Sequence, residues 1–221
     1  MTALITVAGE ELELHPERAV YWRRRGALLV ADPHFGKAAS FRALGVRVPS
    51  GTTSNAITRL DTLIARLAPA RIDFLGDFLH SREGRNAGTF AALAAWRAAH
   101  SGVEMRIVRG NHDRRAGDPP SEVGITCVDG PVADAPFALA HHPVAVANAY
   151  VLAGHVHPCA VLVGLARQRA RLSCFWFGRN VGVLPAFGEF TGCEEVNAHT
   201  DDEVWVVADD GVVRVTVPRE S

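Results

Sequence analysis

The amino-acid sequence predicts an α/β fold in its first half and a mostly β fold in its second half, joined in a single domain. Short apolar runs of strand length alternate with helical patterns in the first half, whereas the last part of the chain has the two-residue alternation of antiparallel strands. No linker, internal repeat or low-complexity segment divides the 221 residues, of which 48% are hydrophobic. One substantial core is therefore expected.

The first predicted elements are a hairpin and a buried strand. Apolar and polar residues alternate on both sides of Gly9, which predicts an N-terminal hairpin region at about residues 3–22. Residues 27–31 form an unbroken apolar run, as expected for a strand that is covered on both faces. Ser50 then begins a helix whose apolar residues recur at three- and four-residue steps, and Pro69 ends it.

The alternation of strands and helices continues along the chain. Strands are predicted at residues 72–75 and 105–108, with an alanine-rich helix at about 87–100 between them. Shorter strands are predicted at residues 137–139 and 150–152, and a longer one at 172–177. Residues 203–217 alternate around Asp209-Asp210-Gly211, which predicts a C-terminal β-hairpin.

The composition narrows the class of protein. With 23 Lys+Arg against 24 Asp+Glu the net charge is −1, so a nucleic-acid partner would require a local basic surface. The chain has neither a basic leader before an apolar segment nor an apolar run of bilayer length, so we expect a cytoplasmic protein without a membrane partner. The cysteines are far apart and form no CxxC pair, which favours small buried hydrophobes over a zinc site or disulfide framework: Cys127, Cys159, Cys174 and Cys193.

Each of five predicted strands is followed by side chains that can bind metal ions. Because the carboxyl ends of parallel strands meet at one edge of an open α/β sheet, where ligand sites are found, we expect these side chains to lie close together. In chain order they are Asp32, His34, Asp77, His80, Asn111, His112, Asp113, His141, His142, His155 and His157.

The residue types favour a centre for two divalent cations. Carboxylates, imidazoles and one amide are ligands of borderline hardness, and no thiolate is among them. A carboxylate has two oxygens, so Asp77, in the middle of the set, is the candidate to bridge two ions. Asn111 is neutral and can offer only its carbonyl oxygen. Gly76, Gly110 and Gly154 allow tight backbone turns where the ligands converge.

Single motifs of this set are weak, and the combination is strong. Short Asp-x-His pairs such as Asp32 and His34 often occur by chance. Gly76-Asp77 is typical of an ordinary turn, and His141-His142 is compatible with a solvated loop. The segment GNHD at residues 110–113 is more specific, and GHVH at 154–157 moderately so. All five in order, each after a predicted strand, favour a functional site over five unrelated features.

This series of motifs resembles the calcineurin-like metallophosphoesterase superfamily. The segments FLGDFLHSR, GNHDR, HHP, GHVHP and LPAFGEFTG further resemble a bacterial phosphoesterase group that is encoded beside a DNA ligase and an Lhr-type helicase and is described as a DNA-damage-response endonuclease. The resemblance covers a catalytic core at about residues 25–193. It implies a four-layer α/β/β/α sandwich with the site at the carboxyl rim of the sheets.

The resemblance also implies roles for individual residues. His112 would sit beside the leaving group, Asp113 would orient His112, and a hydroxide held between two cations would attack the phosphorus. Mn²⁺ is the expected metal, with Zn²⁺ or iron as alternatives. Of the adjacent pair His141-His142 we assign His141 as ligand, because it directly ends an apolar strand. The first ion would take Asp32, His34, Asp77 and His157, and the second Asp77, Asn111, His141 and His155.

Substrate contacts are less clearly marked by the sequence. Several cations follow the ligand-bearing strands and would hold phosphate oxygens, although the same residues are equally typical of a solvated surface. His80 and His142 are additional candidates beside the expected ligands. The candidate contacts are Lys37, Arg82, Arg114, His80 and His142, with Arg42, Arg85 and Arg115 on the same rim.

The sequence thus predicts a metal-dependent phosphoester hydrolase. By resemblance it is a phosphodiesterase or endonuclease that acts on nucleic acid in DNA repair, in functional association with a DNA ligase and a helicase. A phosphomonoesterase or small-nucleotide phosphatase with the same core is the alternative. A protein-binding scaffold is disfavoured, because all expected ligands and His112 are present.

Overall fold

A computed structural model of the chain describes residues 1–48, 51–164, 168–209 and 211–216. Two residues of the patterns above, Ser50 and Asp210, lie outside these ranges, as does residue 217 at the end of the predicted C-terminal hairpin. None of the described helices is both long enough and apolar enough to cross a bilayer.

The first sheet contains seven strands that are neighbours in the order of the chain. The first four are antiparallel to one another, which confirms the N-terminal hairpin and extends it by one strand. The last four are parallel, as expected for strands connected by helices. The strands are β1 (Ala3–Val7), β2 (Glu10–His15), β3 (Ala19–Trp22), β4 (Ala27–Val30), β5 (Arg71–Phe74), β6 (Glu104–Val108) and β7 (Thr126–Val128).

Four α-helices connect the parallel strands: α1 (Lys37–Ala43), α2 (Thr52–Leu67), α3 (Ala87–Ala99) and α4 (Asn111–Ala116). The two longer helices confirm the predicted ones. Leu60 and Leu63 of α2 are buried, which agrees with the apolar periodicity. The α3 helix begins after Asn86, whose side-chain oxygen accepts a hydrogen bond from the backbone N–H of Thr89. The short helices α1 and α4 carry no clear apolar period and were not predicted.

The second sheet is formed by the rest of the chain. Its central strands β9, β10 and β13 are parallel, whereas most of the other pairings are antiparallel. The strand order is β14-β11-β12-β13-β10-β9-β8, and β15 adds to β12 and then pairs with β16. The strands are β8 (Val132–Asp134), β9 (Phe137–Leu139), β10 (Tyr150–Ala153), β11 (Pro158–Val163), β12 (Arg169–Phe177), β13 (Val181–Val183), β14 (Glu194–Glu195), β15 (Glu203–Ala208) and β16 (Gly211–Val215).

The two sheets pack face to face over a continuous apolar core. Leu29 and Val108 of the first sheet meet Leu139, Leu152 and Phe175 of the second, and all five are buried. Because this core draws on strands from both ends of the chain, the single α/β domain is confirmed. The burial of these apolar side chains away from water is the main favourable contribution to folding.

Helices and extended segments cover the outer faces of the two sheets. Leu60, Leu93 and Trp96 pack the helices onto the first sheet. On the second sheet, Ala138 and Val151 are covered by Val146 from the loop between β9 and β10. Within the described ranges, the outermost layer on this side consists of extended segments where the family resemblance implies helices.

Candidate metal centre

The carboxyl ends of five strands from the two sheets meet at one rim. Asp32 follows β4, Asp77 follows β5 and Asn111 follows β6, while His141 and His155 follow β9 and β10. Backbone hydrogen bonds join the loops: the N–H of His34 donates to the carbonyl of Asp77 at 3.0 Å, and the N–H of Gly154 to that of His141 at 3.1 Å. The loops therefore form one connected rim.

Five of the expected ligands have a left-handed backbone, which L-residues other than glycine seldom adopt. Their φ angles are positive, between 47° and 70°, and they make up half of the ten described non-glycine residues with positive φ. Such a conformation costs on the order of 1–3 kcal/mol per residue and persists where the surroundings impose it, often at functional sites. The five residues are Asp32, His34, Asp77, His155 and His157.

Three glycines allow the close approach of backbone and ligand side chains. A Cβ atom on Gly154 would lie 2.5 Å from Oδ2 of Asp32. A Cβ atom on Gly76 would overlap the ring of His141, and one on Gly110 would overlap the carboxylate of Asp77. These positions therefore require glycine because a side chain would have no space, whereas the sequence predicted tight turns, and of the three only Gly76 has a positive φ, of 83°.

The first group of possible ligands consists of Asp32, His34 and His157. Nε2 of His157 lies 3.4 Å from Nε2 of His34 and 3.6 Å from Oδ2 of Asp32. The Nδ1 atom of His157 donates to the carbonyl of Gly192 at 3.1 Å, which leaves Nε2 free to bind a cation. Burial lowers the pKa of His34 far below its ordinary value, so this imidazole is neutral, the form that binds metals.

The second group surrounds the Nε2 atom of His141. Oδ1 of Asn111 lies 2.9 Å from it, Nδ1 of His155 3.1 Å and Oδ1 of Asp77 3.4 Å. The Nδ1 atom of His141 donates to the carbonyl of Leu75 at 3.0 Å, so its orientation is fixed. Burial lowers the pKa of His141 to about 4, which again keeps the ring neutral.

The two groups adjoin at Asp32 and Asp77. One oxygen of each carboxylate and a nitrogen of His141 all lie within 4.8 Å of one another. Burial raises the pKa of Asp77, since an ionised carboxylate out of water is unfavourable without a cation. Oδ1 of Asp32 and Nδ1 of His34 are buried and have no hydrogen-bond partner. This donor set fits a divalent-metal centre.

Comparison with known proteins places the chain in a family. No family model matches it, and no curated protein does. The crystal structure of the nuclease MPE of Pseudomonas putida is 41% identical, covers 97% of this chain and 100% of its own, and has a TM-score of 0.87. This chain belongs to the metallophosphoesterase family. A phosphoesterase of E. coli, YfcE, is 14% identical over 83% of this chain and 88% of its own, with a TM-score of 0.39.

Of the adjacent histidines of this metallophosphoesterase, the structure favours His141 over His142 as a ligand. His141 is buried, whereas His142 is exposed. The ring of His142 lies against that of His155, with centroids 4.1 Å apart. A nitrogen of His142 is also near enough to His141 and His155 for a shared ion, but only His141 is adjacent to Asn111 and Asp77.

His112 is held at the site by its neighbour His80. The Nδ1 atom of His112 lies against the carbonyl oxygen of His80, and its Nε2 atom is 3.9 Å from Oδ2 of Asp77. The backbone N–H of His112 also donates to Oδ1 of Asp77 at 2.8 Å. Burial lowers the pKa of His80 to about 4, so its ring is neutral beside His112. Nδ1 of His112 is therefore occupied by its contact with His80, while Nε2 lies toward Asp77.

The expected role of Asp113 requires a correction. Its carboxylate accepts hydrogen bonds from the backbone N–H groups of Gly110 at 2.9 Å and Leu79 at 3.1 Å. The carbonyl of His80, and not this carboxylate, orients His112. Asp113 is the third residue of α4, and its buried carboxylate satisfies the amide of Gly110, which caps the start of this helix. It shapes the loops after β5 and β6.

The cations of the predicted basic rim have different surroundings in the structure. Lys37 is half-buried beside His34, and burial lowers the pKa of its ammonium group. Arg82 donates to the carbonyl of Arg115 at 2.9 Å, and Arg85 to those of Gly117 and Asp118, so both stabilise the end of α4. Arg42 and Arg114 are exposed. Of these cations, Lys37 is thus the half-buried one beside a candidate ligand, His34.

One loop of the site was not assigned a role from the sequence. Residues 184–192, the segment LPAFGEFTG, follow the parallel strand β13 and lie on the ligand loops. The backbone N–H of Gly188 donates to the carbonyl of Asp32 at 3.0 Å, and Phe187 donates to Ala31 at 2.8 Å. Arg59 donates to the carbonyl of Phe187 and packs on its ring. The apolar run before two closely spaced glycines is the signal that could have identified it.

Proposed function

We propose that this metallophosphoesterase is a phosphodiesterase that cleaves nucleic acid with the help of two divalent cations. The observation that carries the proposal is the meeting of seven nitrogen and oxygen donors in two adjoining groups. Nucleic acid as the substrate is supported by the Pseudomonas putida nuclease, which is 41% identical over 97% of the chain.

We assign the ligands as the sequence predicted. Asp77 would be shared, because its carboxylate lies beside His141 and within reach of Asp32. Without a thiolate in the set, Mn²⁺ is the metal we propose, and Zn²⁺ or iron are the alternatives. One ion would be held by Asp32, His34, Asp77 and His157, and the other by Asp77, Asn111, His141 and His155.

The proposed reaction is an in-line hydrolysis of a phosphate ester. Bound divalent cations would supply a nucleophile at neutral pH and neutralise charge on the phosphate. His112 would then donate the proton on its Nε2 to the departing oxygen. The His80 carbonyl accepts a hydrogen bond from Nδ1 of His112 and so orients the ring, which leaves Nε2 for the departing oxygen. Oδ2 of Asp77 lies 3.9 Å from this Nε2, which places it beside the proposed shared ligand.

The candidate substrate contacts lie on two sides of the centre. Lys37 and His80 are beside His34, and we propose that they face the departing group. Arg114 and His142 line a cavity beside Asn111 and His141 on the other side. Arg82 is the weakest candidate, because its side chain is bonded to the backbone of Arg115.

We also propose the cellular setting that the family resemblance implies. An enzyme of this kind would act on DNA during repair in the cytoplasm, together with a DNA ligase and an Lhr-type helicase. Purified ligase and helicase, each added to the enzyme on a nicked or branched DNA substrate, should alter the rate or position of cleavage. Unchanged cleavage with either protein would contradict the association.

A substrate panel tests the proposed activity. With Mn²⁺, the enzyme should hydrolyse bis-p-nitrophenyl phosphate, a diester, faster than p-nitrophenyl phosphate, a monoester, and should cleave single- or double-stranded DNA. Asp32→Ala should abolish all three reactions, whereas His199→Ala, at an exposed histidine outside the site, should not. Preference for the monoester, with DNA left intact, would favour a phosphatase. No turnover in any arm would favour a scaffold.

A further inference from the structure

A cavity adjoins the candidate metal centre on one side. Its volume is about 260 Å³, and Asn111 and His141 form part of its wall. Because both residues are proposed ligands of the second cation, any group in this cavity would be directly next to a bound phosphate. His112 does not line it. The ring of His112 is instead near those of His34 and His80, with centroid distances of 5.3 and 5.2 Å.

The lining of this cavity suits a flat, uncharged ring. Pro131, Ala140 and Val144 contribute apolar surface. The imidazole of His142 is exposed at the same wall, and rings of this kind stack on nucleobases. The volume lies just below the roughly 300–1,000 Å³ typical of small-molecule sites, so the cavity suits one sugar with its base.

The two arginines of the cavity do not form a phosphate site. Arg109 donates to both oxygens of Asp118, at 2.8 and 2.7 Å, and lies 3.3 Å from Asp129. Arg114 pairs with Asp129 at 3.2 Å. The positive charge of both guanidinium groups is therefore balanced, and a further phosphate would approach two carboxylates. The planar faces of the guanidinium groups remain suited to a ring.

We propose that this cavity holds the nucleoside that stays on the phosphate during hydrolysis. The proposal rests on the proposed phosphodiesterase function and makes it more specific. The departing group would be protonated by His112, whose ring lies near those of His34 and His80 and does not line the cavity, so the cavity is left for the retained substituent. The substrate class is then a phosphodiester that carries a nucleoside at this position, and Val144 and His142 determine the preference.

Two substrates with the same leaving group test this subsite. Thymidine 5′-p-nitrophenyl phosphate and methyl p-nitrophenyl phosphate differ only in the retained substituent. With Mn²⁺, the enzyme should have a higher kcat/KM for the thymidine ester, by about tenfold if one base stacks in the cavity. Val144→Trp, which fills the cavity, should abolish this preference and leave the methyl ester unaffected. His142→Ala, which removes the ring, should also abolish the preference, measured as the ratio of kcat/KM for the two esters.

A matched control variant and an inhibition measurement complete the test. Val213→Trp places the same side chain at a position of similar exposure, 51% against 52% for Val144, and should keep the preference. Thymidine 5′-monophosphate should inhibit the enzyme more strongly than methyl phosphate, and Val144→Trp should remove this difference. Hydrolysis of both esters with a ratio that neither Val144→Trp nor His142→Ala changes would overturn the subsite alone. If the enzyme hydrolyses neither of the two esters, the phosphodiesterase function itself is contradicted.

Discussion

The ring of His112 stacks on the ring of His80, with centroids 5.2 Å apart and planes 19° from parallel. The Nδ1 atom of His112 also lies against the carbonyl oxygen of the same residue. One neighbour thus fixes both the plane of the His112 ring and the position of its Nδ1, and Nε2 is the nitrogen left for a substrate. This arrangement is the basis of the first prediction.

His112→Ala should keep both proposed metals and lose about 10²–10⁴ in kcat, the usual contribution of a positioned acid. The loss should be small for a nitrophenolate leaving group, which needs little protonation, and largest for the 3′ or 5′ oxygen of a nucleotide. Rates on both kinds of substrate, with metal content by elemental analysis, check this. Loss of metal, or equal impairment for all leaving groups, would show that His112 is a ligand or a charge clamp. His199→Ala is the control.

Asp113→Asn should weaken folding rather than change the acid–base chemistry. The substitution leaves one of two buried backbone N–H groups, that of Gly110 or Leu79, without an acceptor, which costs about 1–3 kcal/mol. The free energy of unfolding in urea should fall by this amount, while the pH dependence of kcat in the folded enzyme keeps its shape. A displaced pH profile at unchanged stability would restore the direct role beside His112.

Removal of metal should abolish turnover. The ligands are oxygen and imidazole, so Mn²⁺ should restore activity after EDTA treatment and dialysis, and Mg²⁺ should restore less, since Mg²⁺ prefers an all-oxygen octahedral set. Rates on bis-p-nitrophenyl phosphate across a metal titration measure this. Full activity of a chelated preparation, verified as metal-free, would contradict the proposed function.

Asp77→Ala should lower metal occupancy and rate together. Its carboxylate lies between the two groups, so both proposed ions lose a ligand. Elemental analysis should find fewer than two metals per chain, and hydrolysis should be reduced in parallel. Asp201→Ala, at an exposed aspartate, is the control. Two bound metals with a near-normal rate in Asp77→Ala would show that the shared ligand is wrongly assigned.

Two glycines of the loop at residues 184–192 offer a matched pair. A Cβ atom on Gly188 would lie 2.6 Å from the carbonyl oxygen of Pro33 and 3.1 Å from that of Asp32, whereas one on Gly192 would meet nothing within 4 Å. Gly188→Ala should therefore displace Asp32 and weaken Mn²⁺ binding by about 10–100-fold, as for other residues that support a ligand. Gly192→Ala should bind Mn²⁺ with the affinity of the unaltered enzyme. Calorimetric titration measures both, and equal affinities would contradict a role of this loop.

The sequence predicted most of the fold because its core elements are strongly patterned. The apolar run at residues 27–31 became β4, and the periodic helix around Leu60 became α2. The α1 helix was missed, since its seven residues are too few to show a period. In the same way, β3 and the short strands β7, β8 and β13 depend on neighbours in the sheet more than on local sequence.

The candidate site was predicted as a set of residues but not as a network. The order of motifs placed the seven expected ligands on one rim, where the structure has them close together. The partner of Asp113 was wrongly predicted. The family resemblance pairs Asp113 with the adjacent His112, whereas the backbone amides of Gly110 and Leu79 carry no signal in the sequence. The carbonyl of His80 carries no side-chain signal, so no sequence pattern could reveal its contact with His112.

The left-handed backbone at five of the proposed ligand positions creates a conflict between thermal stability and activity. Glycine adopts this conformation without the steric penalty that Asp and His incur. Replacing His155 by glycine would remove a donor and at the same time relax the chain, so without bound metal the inactive protein would resist heat at least as well as the unaltered one. Variants selected for heat resistance alone would accumulate glycine at these positions and lose catalytic activity. Any effort to make this enzyme more robust should therefore select for turnover and melting temperature together.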